Sequence, residues 1–332
     1  MYRLTAFVIA SALLAGAVLA AAPSEETVQG LYEGACKDGK VEARVVAMGK
    51  GTFKVFVRPM AAEAKGCRAE LDGKTDGDAV KFTGLAPNTD WALEYADGAI
   101  KGACGKDCTM ELKRVVREPP TLGAKPPEGA IVLLDGKNFD EVTKQKNKDG
   151  TDQEWMMKEG GAIQVPKGGM NSKRAFDGNY KLHVEFWLPV MPNDRGQGRS
   201  NSGCFQANGD EIQVLDSFGM PTYEGGGCAG IYHYKDPDCM EVIESLKDQK
   251  ENKFTLASLP PGQWQTYDVE YKVEKKDGKP TGKPKVTVFH NGIKIHDNFE
   301  MHNDAKAGTL HFQDHGNAVQ FRNIWVLPLP DK

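Results

Sequence analysis

NSGCFQANGDEIQVLDS, residues 201–217, predicts two short strands joined by a tight Asn-Gly-Asp turn. Side chains alternate between the two faces of a strand, so Ile212 and Val214 are expected to point into a core. Glu211 and Gln213 then share the other face. That face is either an ordinary solvated surface or the floor of a groove that binds a polar ligand.

The composition indicates an all-β protein with two domains. The chain has 332 residues, of which 40% are hydrophobic and 27% are charged, enough for one large core or two smaller ones. The 37 glycines and 18 prolines are typical of strands joined by tight turns, so helix should be minor. A formal net charge of −4 gives no basic surface, which excludes nucleic acid and anionic membranes as partners.

A secretory signal peptide is predicted over residues 1–22, where Arg3 precedes an apolar run that ends in small residues. The run is nearly long enough to span a bilayer, so an uncleaved membrane anchor is the alternative. We expect an exported protein, periplasmic or extracellular.

The seven cysteines of such a chain predict disulfides with one thiol left over. Four lie in the N-terminal half and three in the C-terminal half, so the simplest arrangement has two bridges in the first part and one in the second. We expect Cys228 to pair with Cys239 across a loop. Cys204, inside a strand, should remain a buried free thiol.

The chain divides at a proline-rich segment. Residues 25–117 carry short alternating runs without a histidine and predict a small β domain, either an accessory or docking module or a stabilising extension. Residues 118–129, EPPTLGAKPPEG, favour extended backbone that resists packing and are predicted to be a linker. Residues 130–330 show about ten strands and no helix long enough for a parallel crossover, which predicts an antiparallel two-sheet sandwich. Residues 238–258 are polar and indicate a surface insertion.

Short motifs of the second domain, taken together, resemble the 3-keto-disaccharide hydrolase domain family. They are Trp155 with Gly160, Asn201-Ser202-Gly203, EIQVLDS at residues 211–217, Gly230-Ile231-Tyr232, WQTY at 264–267, Asn291-Gly292, LHFQDHG at 310–316 and FRNI at 321–324. The resemblance covers roughly residues 130–328. It implies a jelly-roll sandwich similar to concanavalin A-like lectins and glucanases, and cleavage of 3-keto-disaccharides or 3-keto-glycosides. The first domain and its TLGAKPP linker resemble an extension found on exported members from planctomycete-type bacteria.

The predicted groove strand supplies one carboxyl group, whereas ordinary glycosidases need two that flank the bond. A ketone at C3 of the sugar changes this requirement, because it makes the C2 hydrogen acidic. A single base can then start elimination of the C1 substituent, and addition of water completes a net hydrolysis.

Three residues are candidates for catalysis. Glu211 would be the base or would hold sugar hydroxyls, unless it is a solvated acid. His315 would act as acid or base, unless it is an ordinary turn histidine. Asp216 either caps the turn that follows it or takes a catalytic role.

Six residues are candidates for substrate binding: Gln213, Arg322, Tyr232, Trp155, Asn201 and Gln313. Arg322 would contact a carboxylate or a sugar oxygen, unless it lies on the surface of a closing strand. Tyr232 and Trp155 would stack on sugar, unless they belong to the core. We expect Glu211, Gln213, His315 and Arg322 to converge on one pocket.

All seven histidines lie in the second domain, but His311 and His315 would stand roughly 13 Å apart along a strand, too far to share a zinc ion. A divalent cation on carboxylate oxygens remains open, and no other cofactor is implied. The alternative to an enzyme is a lectin-like, non-catalytic carbohydrate-binding module. The enzyme is favoured because a glutamate and a histidine both lie on strands directed at the groove.

Overall fold

The computed structural model describes residues 21–61 and 67–330, so all but the last two residues of the predicted signal peptide lie outside it. The described chain is almost entirely antiparallel β-structure, as the composition predicts, with one short α-helix, α1 (Glu25–Val28), and 3₁₀ turns at Glu159–Gly161, Gly196–Gly198 and Glu244–Leu246. None of its helices is long and apolar enough to cross a membrane.

The first part of the chain is a closed barrel of eight antiparallel strands, the N-terminal barrel. Each strand pairs with the next, and the last returns to pair with the first. The strands are β1 (Gly30–Cys36), β2 (Gly39–Gly49), β3 (Thr52–Pro59), β4 (Ala69–Asp76), β5 (Ala79–Gly84), β6 (Trp91–Ala96), β7 (Ala99–Cys104) and β8 (Thr109–Val115). Alternate apolar side chains such as Val45, Val55 and Leu71 fill its interior.

The second part is a sandwich of two antiparallel sheets. Its smaller sheet has the order β10-β13-β22-β15-β16, and its larger sheet has the order β11-β12-β23-β14-β19-β20-β21, with β9 paired to β23. The strands are β9 (Ile131–Leu134), β10 (Val142–Lys144), β11 (Met156–Met157), β12 (Ile163–Gln164), β13 (Met170–Ser172), β14 (Tyr180–Trp187), β15 (Ser202–Phe205), β16 (Glu211–Val214), β19 (Trp264–Lys276), β20 (Lys279–His290), β21 (Ile293–Glu300), β22 (His311–Phe312) and β23 (Gln320–Pro328). Ile212 and Val214 lie in the core between the sheets, as alternation predicts.

The polar segment 238–258 is largely exposed between residues 244 and 252, as predicted for a surface insertion, but buried apolar residues also anchor it. It forms the hairpin β17 (Met240–Val242) and β18 (Lys253–Thr255), with a 3₁₀ turn at Glu244–Leu246. Buried Ile243 and Phe254 pack with Val46 and Phe56 of the barrel. The segment therefore joins the sandwich to the N-terminal barrel, a role that its scattered apolar residues among many charges did not reveal.

A buried arginine strengthens the same interface. Arg44 of β2 pairs with Glu42 at 3.1 Å and donates to the carbonyl oxygens of Leu256 and Ser258 in the sandwich. Burial of a guanidinium is tolerated here because carboxylate and carbonyl acceptors replace its water.

Residues 119–125 are packed rather than free, and we call them the strap. They lie across the outward face of the larger sheet, where Thr121 Oγ1 donates to Asp268 Oδ2 at 2.6 Å and the Gly123 N–H donates to Glu185 Oε1 at 2.6 Å. The Ala124 carbonyl accepts from Asn323 Nδ2 at 2.9 Å. The backbone is not extended throughout as predicted, because the Leu122 N–H donates to the Pro119 carbonyl and the Ala124 N–H donates to the Thr121 carbonyl, each closing a turn. Polar side chains of the sheet satisfy further hydrogen-bonding groups of the strap.

Both disulfides of the described chain lie in the N-terminal barrel, Cys36–Cys67 and Cys104–Cys108. Cys204 is free and buried, as predicted. The predicted pairing of Cys228 with Cys239 is wrong, since both are free. Cys228 points into the sandwich core, with its Sγ 3.1 Å from the Tyr267 hydroxyl, whereas Cys239 contacts Thr255 Oγ1 beside the β17–β18 hairpin.

Candidate functional site

One line of side chains crosses the outer face of the smaller sheet, the face turned away from the core. The register pairs Asn171 with His311, His311 with Phe205, and Phe205 with Glu211. Tyr232 extends this line, because its N–H donates to the Glu211 carbonyl at 3.0 Å. We call these five residues the Glu211 row. Paired residues of antiparallel strands share a face, so their side chains are neighbours.

A second line runs beside the first on the same face of the sheet. Gln213 pairs with Gly203, and the Gln313 N–H donates to the Gly203 carbonyl at 3.0 Å. A Cβ atom at Gly203 would lie 2.1 Å from Glu211 Oε1. The Glu211 carboxylate therefore rests over the Gly203 backbone, a position that any larger residue would block.

Glu211 has an unusual environment for a carboxylate. It is 8% exposed, and its carboxylate has no hydrogen-bond or ion-pair partner among the described residues. Burial raises the pKa of Glu211 to about 7, because the charged form loses water that no protein group replaces. The carboxyl group therefore titrates near neutral pH and can take up or release a proton there.

His311 is the histidine of the Glu211 row. Its Nδ1 lies 3.0 Å from Asn171 Oδ1, and its ring meets the edge of Phe205 with 5.3 Å between ring centroids. Burial lowers the pKa of His311, so its imidazole is neutral at neutral pH. The ring also interacts with the Met170 carbonyl, which favours a protonated ring nitrogen and partly offsets the effect of burial on the pKa of His311.

An amide network holds the end of the sheet next to Glu211. Gln197 Oε1 accepts from Gln213 Nε2 at 2.9 Å and from Asn201 Nδ2 at 2.9 Å, and Gln197 Nε2 donates to the Gly226 carbonyl. The substrate-binding roles of Gln213 and Asn201 stay predictions. Gln197 was missed because it lies in a loop, where no alternation indicates its direction.

His315 does not belong to the Glu211 row. It is exposed in the turn after β22 and makes no hydrogen bond or ion pair with any described residue. Its catalytic role stays a prediction. The alternation of β22 had placed His311 and Gln313 on this face, and that signal identifies His311 as the better candidate.

Asp216 is not brought together with Glu211. Its carboxylate is buried and accepts from Arg199 Nε at 2.6 Å, while Arg199 also donates to the Ala47 carbonyl of the barrel at 3.1 Å. The Phe218 N–H donates to Asp216 Oδ1 at 3.2 Å, which confirms the predicted turn cap. The contacts of Asp216 are thus those of a buried ion pair and a turn cap, and its catalytic role stays a prediction.

The predicted convergence of Arg322 with Glu211 is wrong. Arg322 lies on the outward face of the larger sheet, where its Nε is 2.7 Å from Glu185 Oε2 and its guanidinium lies 4.0 Å from the Trp264 ring centroid. Two packed sheets stand about 10 Å apart, and the two side chains point away from each other. Arg322 thus lies on the sheet face that carries the strap, and its substrate-binding role stays a prediction.

Trp155 is part of the sandwich packing. Its ring stacks on Phe139 at 4.5 Å between centroids, with Lys144 Nζ 4.4 Å from its centroid, and it packs against the core. These contacts agree with the core alternative for Trp155, and its contact with sugar stays a prediction.

The described residues contain one group of three potential metal ligands, Cys36, Asp38 and Cys67. The sulfur atoms of this group form a disulfide, so they are not free to bind an ion. The group lies in the N-terminal barrel, away from Glu211.

Comparison with known proteins identifies the second part of the chain. The model of the 3-keto-alpha-glucoside-1,2-lyase-like domain matches residues 129–327, more than half of the chain. Two crystal structures of candidate glycosyl hydrolases from Parabacteroides distasonis ATCC 8503 are also similar to it. One shares 30% identity over 61% of this chain and 85% of its own, with a TM-score of 0.48. The other shares 19% identity over 61% of this chain and 95% of its own, with a TM-score of 0.40. No curated protein matches the chain.

Proposed function

Because the chain belongs to the 3-keto-alpha-glucoside-1,2-lyase-like domain family, we propose that it is an enzyme that cleaves glycosides carrying a ketone at C3 of the sugar. The observation that carries this proposal is the carboxyl group of Glu211. It is buried and unpaired, and its pKa of about 7 suits a catalyst of proton transfer at neutral pH.

The chemistry follows from one base and a ketone. The Glu211 carboxylate removes the proton at C2, and the electron pair of that C–H bond forms the C1–C2 double bond as the bond from C1 to the leaving oxygen breaks. The leaving oxygen takes a proton from solvent or a nearby acid. Water then adds its hydroxyl to C1 and a proton returns to C2, which gives the 3-keto sugar and the free alcohol. A lyase acting across C1 and C2, as the family description states, performs the first half of this sequence.

The neighbours of Glu211 supply polar recognition. His311 and Asn171 bring hydrogen-bonding groups to the same row as Glu211, and Gln313 lies in the adjacent line. A ketone and several hydroxyl groups need such donors and acceptors. A lectin-like module would use the same polar groups, but it has no need of a carboxyl group whose charge is destabilised by burial.

The decisive experiment measures cleavage of oxidised and ordinary sugars side by side. Purified protein is incubated with 3-keto-trehalose, 3-keto-lactose, trehalose and lactose, and released 3-keto-glucose or glucose is quantified. We expect cleavage of the keto sugars alone, because a C2 hydrogen without the adjacent ketone is too weakly acidic for a side-chain base. Comparable cleavage of the ordinary sugars would refute the proposal.

Isotope labelling tests the elimination step separately. Deuterium at C2 should slow the reaction if proton removal limits the rate, and solvent hydrogen should appear at C2 of the product. Release of 3-keto-glucose with complete retention of the C2 label would exclude elimination and favour direct hydrolysis.

A further inference from the structure

We propose that Tyr223, Tyr232 and His233 form an aromatic subsite that binds the leaving group of the substrate by stacking on its flat apolar face. This inference rests on the proposed function, because it concerns the group that leaves C1 of the sugar when the glycosidic bond breaks. The subsite would take either a pyranose ring or a planar aromatic group, since both present such a face.

The three rings contact one another directly beside Glu211. The Tyr232 and Tyr223 hydroxyl oxygens are 3.1 Å apart. The His233 ring lies 4.0 Å from the Tyr232 ring and 5.6 Å from the Tyr223 ring between centroids, and it is stacked on the latter. The two tyrosines are half-buried and His233 is exposed, so the cluster is open to solvent on one side.

The backbone gives an independent indication. His233 has a φ of 66°, in the left-handed region that glycine adopts without strain. A side chain with a Cβ atom is held there at a cost of about 1 kcal/mol or more. Glycine would remove this cost, so the imidazole is retained in a position that the backbone alone would not favour. Residues in such conformations cluster at ligand-binding sites.

Glu211 divides the row into two chemically different halves. On one side lie Phe205 and then His311 and Asn171, and the hydrogen-bonding groups of the last two suit the ketone and hydroxyls of the sugar that is deprotonated. On the other side lies the aromatic subsite, which offers ring faces and two hydroxyl groups. With C2 over Glu211, the polar half binds the keto sugar and the aromatic half receives the group attached at C1. Ring contacts of this kind contribute about 0.5–1.5 kcal/mol each.

The test compares substrates that differ only in the leaving group. We would measure kcat/KM for 3-keto-trehalose, 4-nitrophenyl 3-keto-α-glucoside and methyl 3-keto-α-glucoside with the wild-type protein and with His233→Gly. The wild type should prefer the two large leaving groups over methyl. In His233→Gly the ratio of each to methyl should fall about three- to tenfold, the equivalent of one ring contact. Because glycine relieves the backbone, the melting temperature should not fall.

Tyr234→Ala is the matched control. This neighbouring ring is 47% exposed and stacks on His302 at 3.9 Å, outside the aromatic subsite, so the ratios should stay as in the wild type. A fall for the aryl glycoside alone would assign the subsite to planar aromatic groups, and a fall for the disaccharide alone would assign it to a sugar. Unchanged ratios in His233→Gly would overturn the inference.

Binding measurements separate this inference from the proposed function. If the wild-type protein cleaves no keto-glycoside, the proposed function fails, and the dissociation constants of 3-keto-trehalose and methyl 3-keto-α-glucoside are compared by calorimetry. Tighter binding of the disaccharide that is lost in His233→Gly would still support the subsite. Equal affinities in both proteins would refute it.

Discussion

At the scale of single residues, an unpaired carboxylate that is nearly buried opposes folding once it is charged. The pKa of Glu211 is about 7 in the folded protein, above its ordinary value of 4.5, so the folded state retains a proton that the unfolded state releases between these values. Stability therefore falls as pH rises from about 4.5 to 7, by on the order of 3 kcal/mol, and stays low above that window. Glu211→Gln cannot ionise, so its melting temperature should exceed that of the wild type at pH 8. At pH 4 the melting temperatures of the two proteins should agree. A wild type that is as stable as Glu211→Gln at pH 8 would contradict the raised pKa.

The same residue should control the rate. If Glu211 is the base, Glu211→Gln should lower kcat on keto-glycosides by about 10²- to 10⁴-fold, and kcat/KM of the wild type should rise with pH to a plateau above about 7. Glu224→Gln, an exposed change on the adjacent loop, is the control and should retain wild-type rates. An active Glu211→Gln would transfer the role of base to His311, and His311→Asn would then be the informative variant.

Gly203 determines where that carboxyl group lies. The Cβ of Gly203→Ala would fall 2.1 Å from Glu211 Oε1, so the carboxylate must move, and a displacement of about 1 Å can cost 10²-fold in rate. We expect kcat to fall by about 10- to 10²-fold with a small change in melting temperature. Gly198→Ala is the control, since a Cβ there meets no atom within 4 Å. Equal kinetics in both variants would show that the observed position of Glu211 is not the catalytic one.

At the scale of elements, the strap depends on hydrogen bonds to the larger sheet. Thr121→Val keeps the shape of the side chain and removes the hydroxyl that donates to Asp268 at 2.6 Å. We expect a loss of about 1–2 kcal/mol in the free energy of unfolding, because a carboxylate oxygen loses its donor. Thr109→Val, exposed at the start of β8, is the control. Denaturant unfolding measures both, and equal midpoints would mean that the strap contributes little stability.

Strand alternation predicted most of the fold and part of the site. It placed Ile212 and Val214 in the core and Glu211 on the other face of the same strand, because a period of two fixes the direction of every side chain in a strand. It could not tell which of the two sheets a strand joins. Arg322 alternates correctly in β23 yet faces the strap, since sheet membership is set by pairing between distant strands.

Strand alternation also could not predict the directions of side chains in loops. Gln197 and His233 lie where the backbone has no period, and their directions follow from tertiary contacts such as those with Gly226 and Tyr223. The packing of segment 238–258 was hidden in the same way, because composition reports average polarity while burial depends on scattered apolar side chains. In loops and irregular segments, the sequence alone therefore gives little information about where a side chain points or whether it is buried.

At the scale of the whole molecule, the N-terminal barrel braces the loop that leads into the site. Arg199 joins Asp216 of the sandwich to the Ala47 carbonyl of the barrel, two residues after Gln197. Arg199→Met should lower the free energy of unfolding by about 3–5 kcal/mol, because it leaves Asp216 buried without a cation. It should also raise KM, since Gln197 loses its support. Asp194→Asn, an exposed change on the same loop, is the control. Full retention of stability in Arg199→Met would show that the barrel does not brace this loop.

The thiols buried in the sandwich core have a consequence for how the protein matures. Burial raises the pKa of Cys204 to about 12 and also raises that of Cys228, so neither forms a reactive thiolate once the core has closed. Before that moment both compete with Cys36, Cys67, Cys104 and Cys108 for the oxidant. Correct disulfide pairing therefore requires the sandwich core to fold before Cys204 and Cys228 are oxidised. Conditions that delay folding of the core should favour non-native disulfides.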